Sequence, residues 1–151
     1  MDFRPYPASV SKKGKRIAAM AGQFREGKLD PHYTGYFELF NQQKYFEAHE
    51  VLEHIWLKDK HGPDGAFYKG LIQLAGAFVH LQKNRPQPAS SLFKLALANL
   101  EKYPQVHEHL NLQTTGQMIR QWLADPERTD FSGNPLTAAN APTLKLHGSE
   151  A

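Results

Sequence analysis

Apolar residues recur through the middle of this chain at helical spacing, and the polar residues that interrupt them carry as much information as the stripes. Tyr36, Phe37, Leu39 and Phe40 predict a short helix ending near Asn41. A second helix follows over residues 44–58, and Gly62, Pro63 and Gly65 break regular structure after it. Residues 66–83 are apolar nearly all round, through Phe67, Leu71, Ile72, Leu74, Phe78, Val79 and Leu81, as expected of a helix in the middle of a bundle. Pro88 suits the first turn of the next helix, which carries Leu92, Phe93, Leu95, Ala96, Leu100 and Tyr103 and is stopped by Pro104. A last helix over residues 114–124, capped by Thr114 or Thr115, buries Met118, Ile119, Trp122 and Leu123. No segment alternates with the two-residue period of a strand. The expected class is therefore all-α, a compact antiparallel bundle of four to five helices. The bundle occupies residues 34–124, preceded by a basic arm over residues 1–33. An irregular, partly docked tail rich in Pro and Asn follows over residues 125–151.

Two helices carry polar groups where hydrocarbon is expected. On the helix over residues 44–58, Tyr45, Leu52 and Trp56 flank His49, while Phe46 and Leu57 flank Glu53, with Glu50 at the edge of the same face. Lys44, Glu47, Val51, His54 and Lys58 form the opposite, solvated face, on which His54 pairs with Glu50. On the helix over residues 66–83, Gln73 and His80 stand seven residues apart on one strip, beside the small residues Gly70, Gly76 and Ala77. If the two helices form a hairpin, His49, Glu53, Gln73 and His80 converge, with Glu50 at the rim. Two imidazoles and one or two carboxylates suit zinc, manganese, iron or nickel. In that scheme His49, Glu53 and His80 are the ligands of a divalent transition metal, Glu50 is a base or fourth ligand, and Gln73 orients water or substrate. The same groups also suit acid–base catalysis without a metal, or a hydrogen-bonded network that only fixes helix register. Spacing does not choose among these, because the chain contains neither H-E-x-x-H nor a Glu-x-x-His pair. His107 and His109 look like a chelating pair but follow Pro104 in a polar connector, where they are expected to face water.

Composition narrows the chemistry. Cysteine is absent, which removes disulfides, thiolate ligands and a thiol nucleophile and leaves nitrogen and oxygen donors. The formal charge of +3 comes from 18 basic and 15 acidic side chains, and much of the surplus lies in the arm, in Lys12, Lys13, Lys15, Arg16, Arg25 and Lys28. Such an arm can touch phosphates, but no nucleic-acid-binding motif accompanies it, so nucleic acid is not the expected partner. The N-terminus has no apolar signal region and the longest apolar stretch is short, so a soluble, cytoplasmic protein with no membrane span is expected. A non-catalytic interaction module is the rival to a metal site, with residues 90–103 presenting a groove or a face for a homo-oligomer.

The run from Phe40 through Tyr45-Phe-Glu-Ala-His-Glu to Trp56, then Gly70-Leu-Ile-Gln-Leu-Ala75 and His80, resembles a family of small prokaryotic helical proteins, the domain of unknown function 309. The resemblance extends from about Phe40 to Pro104. It implies a compact all-helical fold and marks Glu47, His49, Glu50, Glu53, Gln73 and His80 as signature positions, without supplying an activity. The chain departs from the family pattern after the histidine, with Lys83-Asn84 and Pro88-Ala89 where Gly-Asn and Gly-Ala are usual. The arm and the tail lie outside the resemblance.

Overall fold

In the computed structural model, residues 29–128 and 135–147 are described, except for the side chains of residues 125–128. The basic residues 12–28 and Phe131 of the tail lie outside them.

Five helices occur among the described residues: α1 (Pro31–Asn41), α2 (Tyr45–Asp59), α3 (Gly65–Gln82), α4 (Pro86–Leu100) and α5 (Leu112–Arg128). The all-α expectation holds. The bundle exceeds its expected bounds at both ends, since α1 begins at Pro31 and α5 runs to Arg128. Asp30 starts α1 by accepting a hydrogen bond from the backbone of His32 at 2.8 Å, with proline in the first turn that follows. The helix ends in a reciprocal turn, Lys44 N to Leu39 O and Gln43 N to Phe40 O, both at 2.9 Å, with Gln43 in the left-handed region at φ 64°. The end of α3 repeats this device. Arg85 N donates to His80 O at 2.8 Å and Asn84 takes φ 58°. Asparagine tolerates that conformation, and Lys83, where the family resemblance leads one to expect glycine, takes φ −93°, which needs none.

Each helix packs on its predecessor, and α3 lies at the centre between α2 and α4. Its buried residues include Phe67, Leu71, Leu74, Phe78 and Leu81. Phe78 is the hub of an aromatic cluster, stacked on Tyr45 at 5.0 Å and edge-on to Phe40, Phe93 and Trp122 at 5.5, 5.1 and 5.2 Å. Such pairs add about 0.5–1.5 kcal/mol each beyond the area they bury. Tyr36, fully buried, satisfies its hydroxyl by donating to Leu71 O at 2.6 Å.

A small antiparallel hairpin, β1 (Val106–His107) and β2 (Leu110–Asn111), joins α4 to α5 and is not foreseen by the sequence pattern. Residues 144–147 of the tail pack against the bundle and the hairpin. Leu144 and Leu146 are buried, and Leu146 bridges to Leu110.

Candidate functional site

The phase of α2 differs from the expected one. Its buried residues are Tyr45, Ala48, Glu50, Val51, Leu52 and Ile55. Val51, expected on the solvated face, is 0% exposed, whereas Phe46 and Leu57 are each 50% exposed. The small Ala48 is the missing marker: with it, the stripe runs through Ala48, Val51, Leu52 and Ile55 and turns away from Phe46 and Leu57. His49 and Glu53 consequently stand at the edge of the buried stripe, with their side chains 28% and 29% exposed and His49 Nε2 3.8 Å from Glu53 Oε2.

This edge borders a cavity of about 320 Å³ between α2, α3 and α4. Its described lining comprises Phe46 and His49 from α2, Lys69, Ile72, Gln73, Gly76, Val79 and His80 from α3, and Leu92 from α4. His49, Gln73 and His80 therefore meet on one wall, as the seven-residue spacing on α3 and the hairpin argument predict. Glu53 lies beside this group, next to His49, and is not part of the described lining. Glu50 is buried, 2% exposed, but one residue beyond His49 it projects about 100° further round the helix and is not part of the described lining.

Gln73, Lys69 and His80 are each held or tuned by their neighbours at the cavity. Gln73 Oε1 accepts from Asn99 Nδ2 at 2.8 Å, and Asn99 Oδ1 in turn accepts from Lys102 Nζ at 3.1 Å. This relay fixes the amide and leaves the Gln73 amino group as a hydrogen-bond donor. Lys69 Nζ lies 4.4 Å from the centre of the Trp56 ring, so the ring face holds the ammonium at one end of the groove. The Nδ1 of His80 is buried and has no hydrogen-bond partner among the described residues. Burial, reinforced by Arg85 and Lys83, pulls the pKa of His80 below its ordinary value, so this imidazole is neutral near pH 7.

Two other histidines depart from expectation. His54 does not sit in open solvent; its ring stacks on His32 at 4.2 Å, and burial lowers its pKa to about 4. His107 does not face water. It is half-buried and lies 2.7 Å from Asp64 Oδ1, whereas His109 is exposed. Among the described residues, Asp64, His107 and Glu108 bring three ligand atoms within 4.8 Å of one another; His49, Glu53 and His80 do not form such a group. His107 was legible as a candidate from the His-Glu-His spacing, but its partner Asp64 is 43 residues away in a loop and offers no local signal.

Residues 33–92 match the profile of the family described as Domain of unknown function (DUF309). This stretch, 33–92, is similar to that family. The match covers α1, α2, α3 and the first part of α4, and hence every residue lining the groove, while β1, β2 and α5 lie beyond it. An uncharacterized protein of Aquifex aeolicus is 29% identical over 127 residues, a span covering 83% of this chain and 35% of that protein. The chain thus spans about a third of that relative's length. No solved structure matches. No helix among the described residues is long and apolar enough to cross a membrane.

Proposed function

We propose that the helical bundle binds a small molecule with an apolar body and an anionic or hydrogen-bond-accepting end in the groove between α2, α3 and α4. The observation that carries this reading is the composition of the groove wall. Ile72, Val79, Leu92 and Phe46 offer an apolar surface, while Gln73, Lys69 and His49 offer donors fixed by their own neighbours. A cavity of about 320 Å³ lies within the range typical of small-ligand sites, about 300–1,000 Å³. His49 with Glu53, and the neutral His80, give the bound molecule groups that can accept or deliver a proton.

Titration of the labelled protein with short aliphatic and aromatic carboxylates, and with the matching amides, tests the reading by NMR. Saturable shifts confined to Gln73, Gly76 and His80, stronger for the acids and weakened about tenfold in Gln73→Leu, are expected; a tenfold loss is about 1.4 kcal/mol of binding. Shifts that are absent, or equal in Gln73→Leu, would overturn it.

A metal ion bound by His49, Glu53 and His80, with Glu50 as base for hydrolytic or redox chemistry, is the second reading. The buried Nδ1 of His80 and the His49–Glu53 pair favour it. Elemental analysis of chelator-free protein beside His49→Ala, His80→Ala and Glu53→Gln decides it, with near-stoichiometric metal expected in the parent and lost in folded variants. Equal metal content in all four proteins removes the reading.

A further inference from the structure

At the other end of α3, an aspartate in a capping position does not cap. Asp64 precedes Gly65 at the N-cap, where a carboxylate ordinarily accepts from the backbone two or three residues on, yet it makes no such bond. Tyr103 does that work from outside. Its hydroxyl accepts from Phe67 N at 3.0 Å and donates to Pro63 O at 2.9 Å, satisfying the helix terminus across 36 residues. The Asp64 carboxylate is thereby released, and its Oδ1 lies 2.7 Å from His107 Nε2.

The imidazole is held as firmly as the helix end. The ring of His107 stands edge-on to Phe67 at 4.8 Å and tilted against Tyr103 at 4.7 Å, so the residue that replaces the cap also orients the imidazole. Glu108 and His109 form the two-residue turn of the hairpin with φ 48° and 65°. Such turns require left-handed residues. This one is pinned by Tyr33, whose hydroxyl donates to Glu108 O at 2.7 Å, and by His147 N, which donates to His109 O at 2.7 Å. Three anchored elements thus bring one imidazole nitrogen and two carboxylate oxygens within 4.8 Å of one another.

We propose that Asp64, His107 and Glu108 form a binding site for one divalent first-row transition-metal ion of the manganese or zinc type. An imidazole beside carboxylates suits these ions, whereas calcium and magnesium take oxygen donors. Three protein ligands leave coordination positions open to water or an exogenous ligand. The ion takes the place of the proton between Asp64 and His107. The neutral ring then carries its proton on Nδ1 and ligates through Nε2; when the ring starts as imidazolium, one proton leaves to solvent, so affinity falls on acidification. The site is independent of the groove at His49, and two of its three ligands lie beyond the matched family stretch, residues 33–92.

The test is titration of the full chain, freed of metal by chelator, with Mn2+ followed by electron paramagnetic resonance and with Co2+ followed by its visible absorption. The expected result is one ion per chain, weakened about 10- to 100-fold in Glu108→Gln and in Asp64→Asn. Glu108 is exposed, so Glu108→Gln keeps the Asp64–His107 bond and remains informative if His107→Ala unfolds. Binding weaker than about 1 mM, binding unchanged in Glu108→Gln, or binding lost in His49→Ala instead would overturn the proposal.

Discussion

His54 is the histidine whose ionisation is most clearly opposed by the fold. Burial is the main cause, and the neighbouring His32 and Lys58 add to it, against a smaller opposite pull from Asp30. The pKa falls from the ordinary 6.5 to about 4, so the unfolded chain binds this proton more readily than the folded one. The stabilisation is therefore complete above pH 6.5 and is lost progressively as pH falls toward 4. His80, also lowered, adds in the same direction. Asp30, held below its ordinary 3.8 chiefly by the hydrogen bond from His32, acts only in more acid solution. Melting temperature is expected to decline between pH 6.5 and pH 4, and His54→Phe, which keeps an aromatic ring against His32 without a titrating group, is expected to flatten the decline. Parallel curves for the two proteins would show that His54 is not the source. Tyr103 is the second residue with a separable role. Tyr103→Phe keeps the ring against His107 but removes the hydroxyl that serves both Phe67 and Pro63, and should cost about 1–2 kcal/mol in a urea melt. A cost near zero would mean that Asp64 swings back to cap the helix.

The two glycines of α3 that face α4 separate packing from function at the scale of the element. A Cβ on Gly70 would lie 3.0 Å from both Cγ and Cδ2 of the buried Leu100 and 3.2 Å from Cβ of Asn99. The buried Leu100 would have to give way there, so Gly70→Ala is expected to lose about 1–3 kcal/mol of stability despite the roughly 1 kcal/mol that alanine gains within a helix. At Gly76 the Cβ would meet only the end of Leu92, 3.2 Å away, and Leu92 borders the groove into which it can turn. Gly76→Ala should leave stability near or above the parent while shrinking the groove and weakening its ligand. Urea melts of both variants check this, and a Gly70→Ala protein as stable as the parent would refute the close approach. The same helix shows what a sequence can reveal. Its apolar girth and the strip joining Gln73 to His80 follow from spacing alone, and both predict the observed wall of the groove. The phase of α2 is not legible from its large apolar residues because Ala48 is too small to register as a hydrophobic marker, so the pattern groups Glu50 and Glu53 with His49 although, of the three, only His49 is in the described lining of the groove. The hairpin was invisible for another reason. Strands of two residues have no period to read, and Glu108-His109 lacks the Asn-Gly signature of such turns.

At the scale of the whole molecule, one side chain fastens the end of the described chain to its beginning. Asn41, the last residue of α1, donates through Nδ2 to Leu144 O and accepts through Oδ1 from Leu144 N, both at 2.8 Å, across 103 residues. Leu144 and Leu146 are buried beside it, and the segment continues to His147, which pairs with His109 on the hairpin turn. Tail, first helix and hairpin are thus mechanically connected, but the connection is thin compared with the packing of α1 to α5. A segment held by the hydrogen bonds of Asn41 with Leu144, Gln43 with Ala138 and His109 with His147, and by a few apolar side chains, should open before the bundle does. Asn41→Ala removes both bonds to Leu144, worth about 1–3 kcal/mol together, and is expected to accelerate amide exchange and proteolysis within residues 135–147 while the bundle melts nearly as before. The effect should reach the proposed metal ligands, because His147 helps to pin the turn that carries Glu108; Mn2+ affinity should therefore drop in Asn41→Ala although Asn41 touches none of the three donors. Exchange that rises uniformly through α1 to α5 would show instead that the tail and the bundle unfold as one unit. Unchanged Mn2+ affinity alongside a freed tail would show that Tyr33 alone suffices to hold the turn.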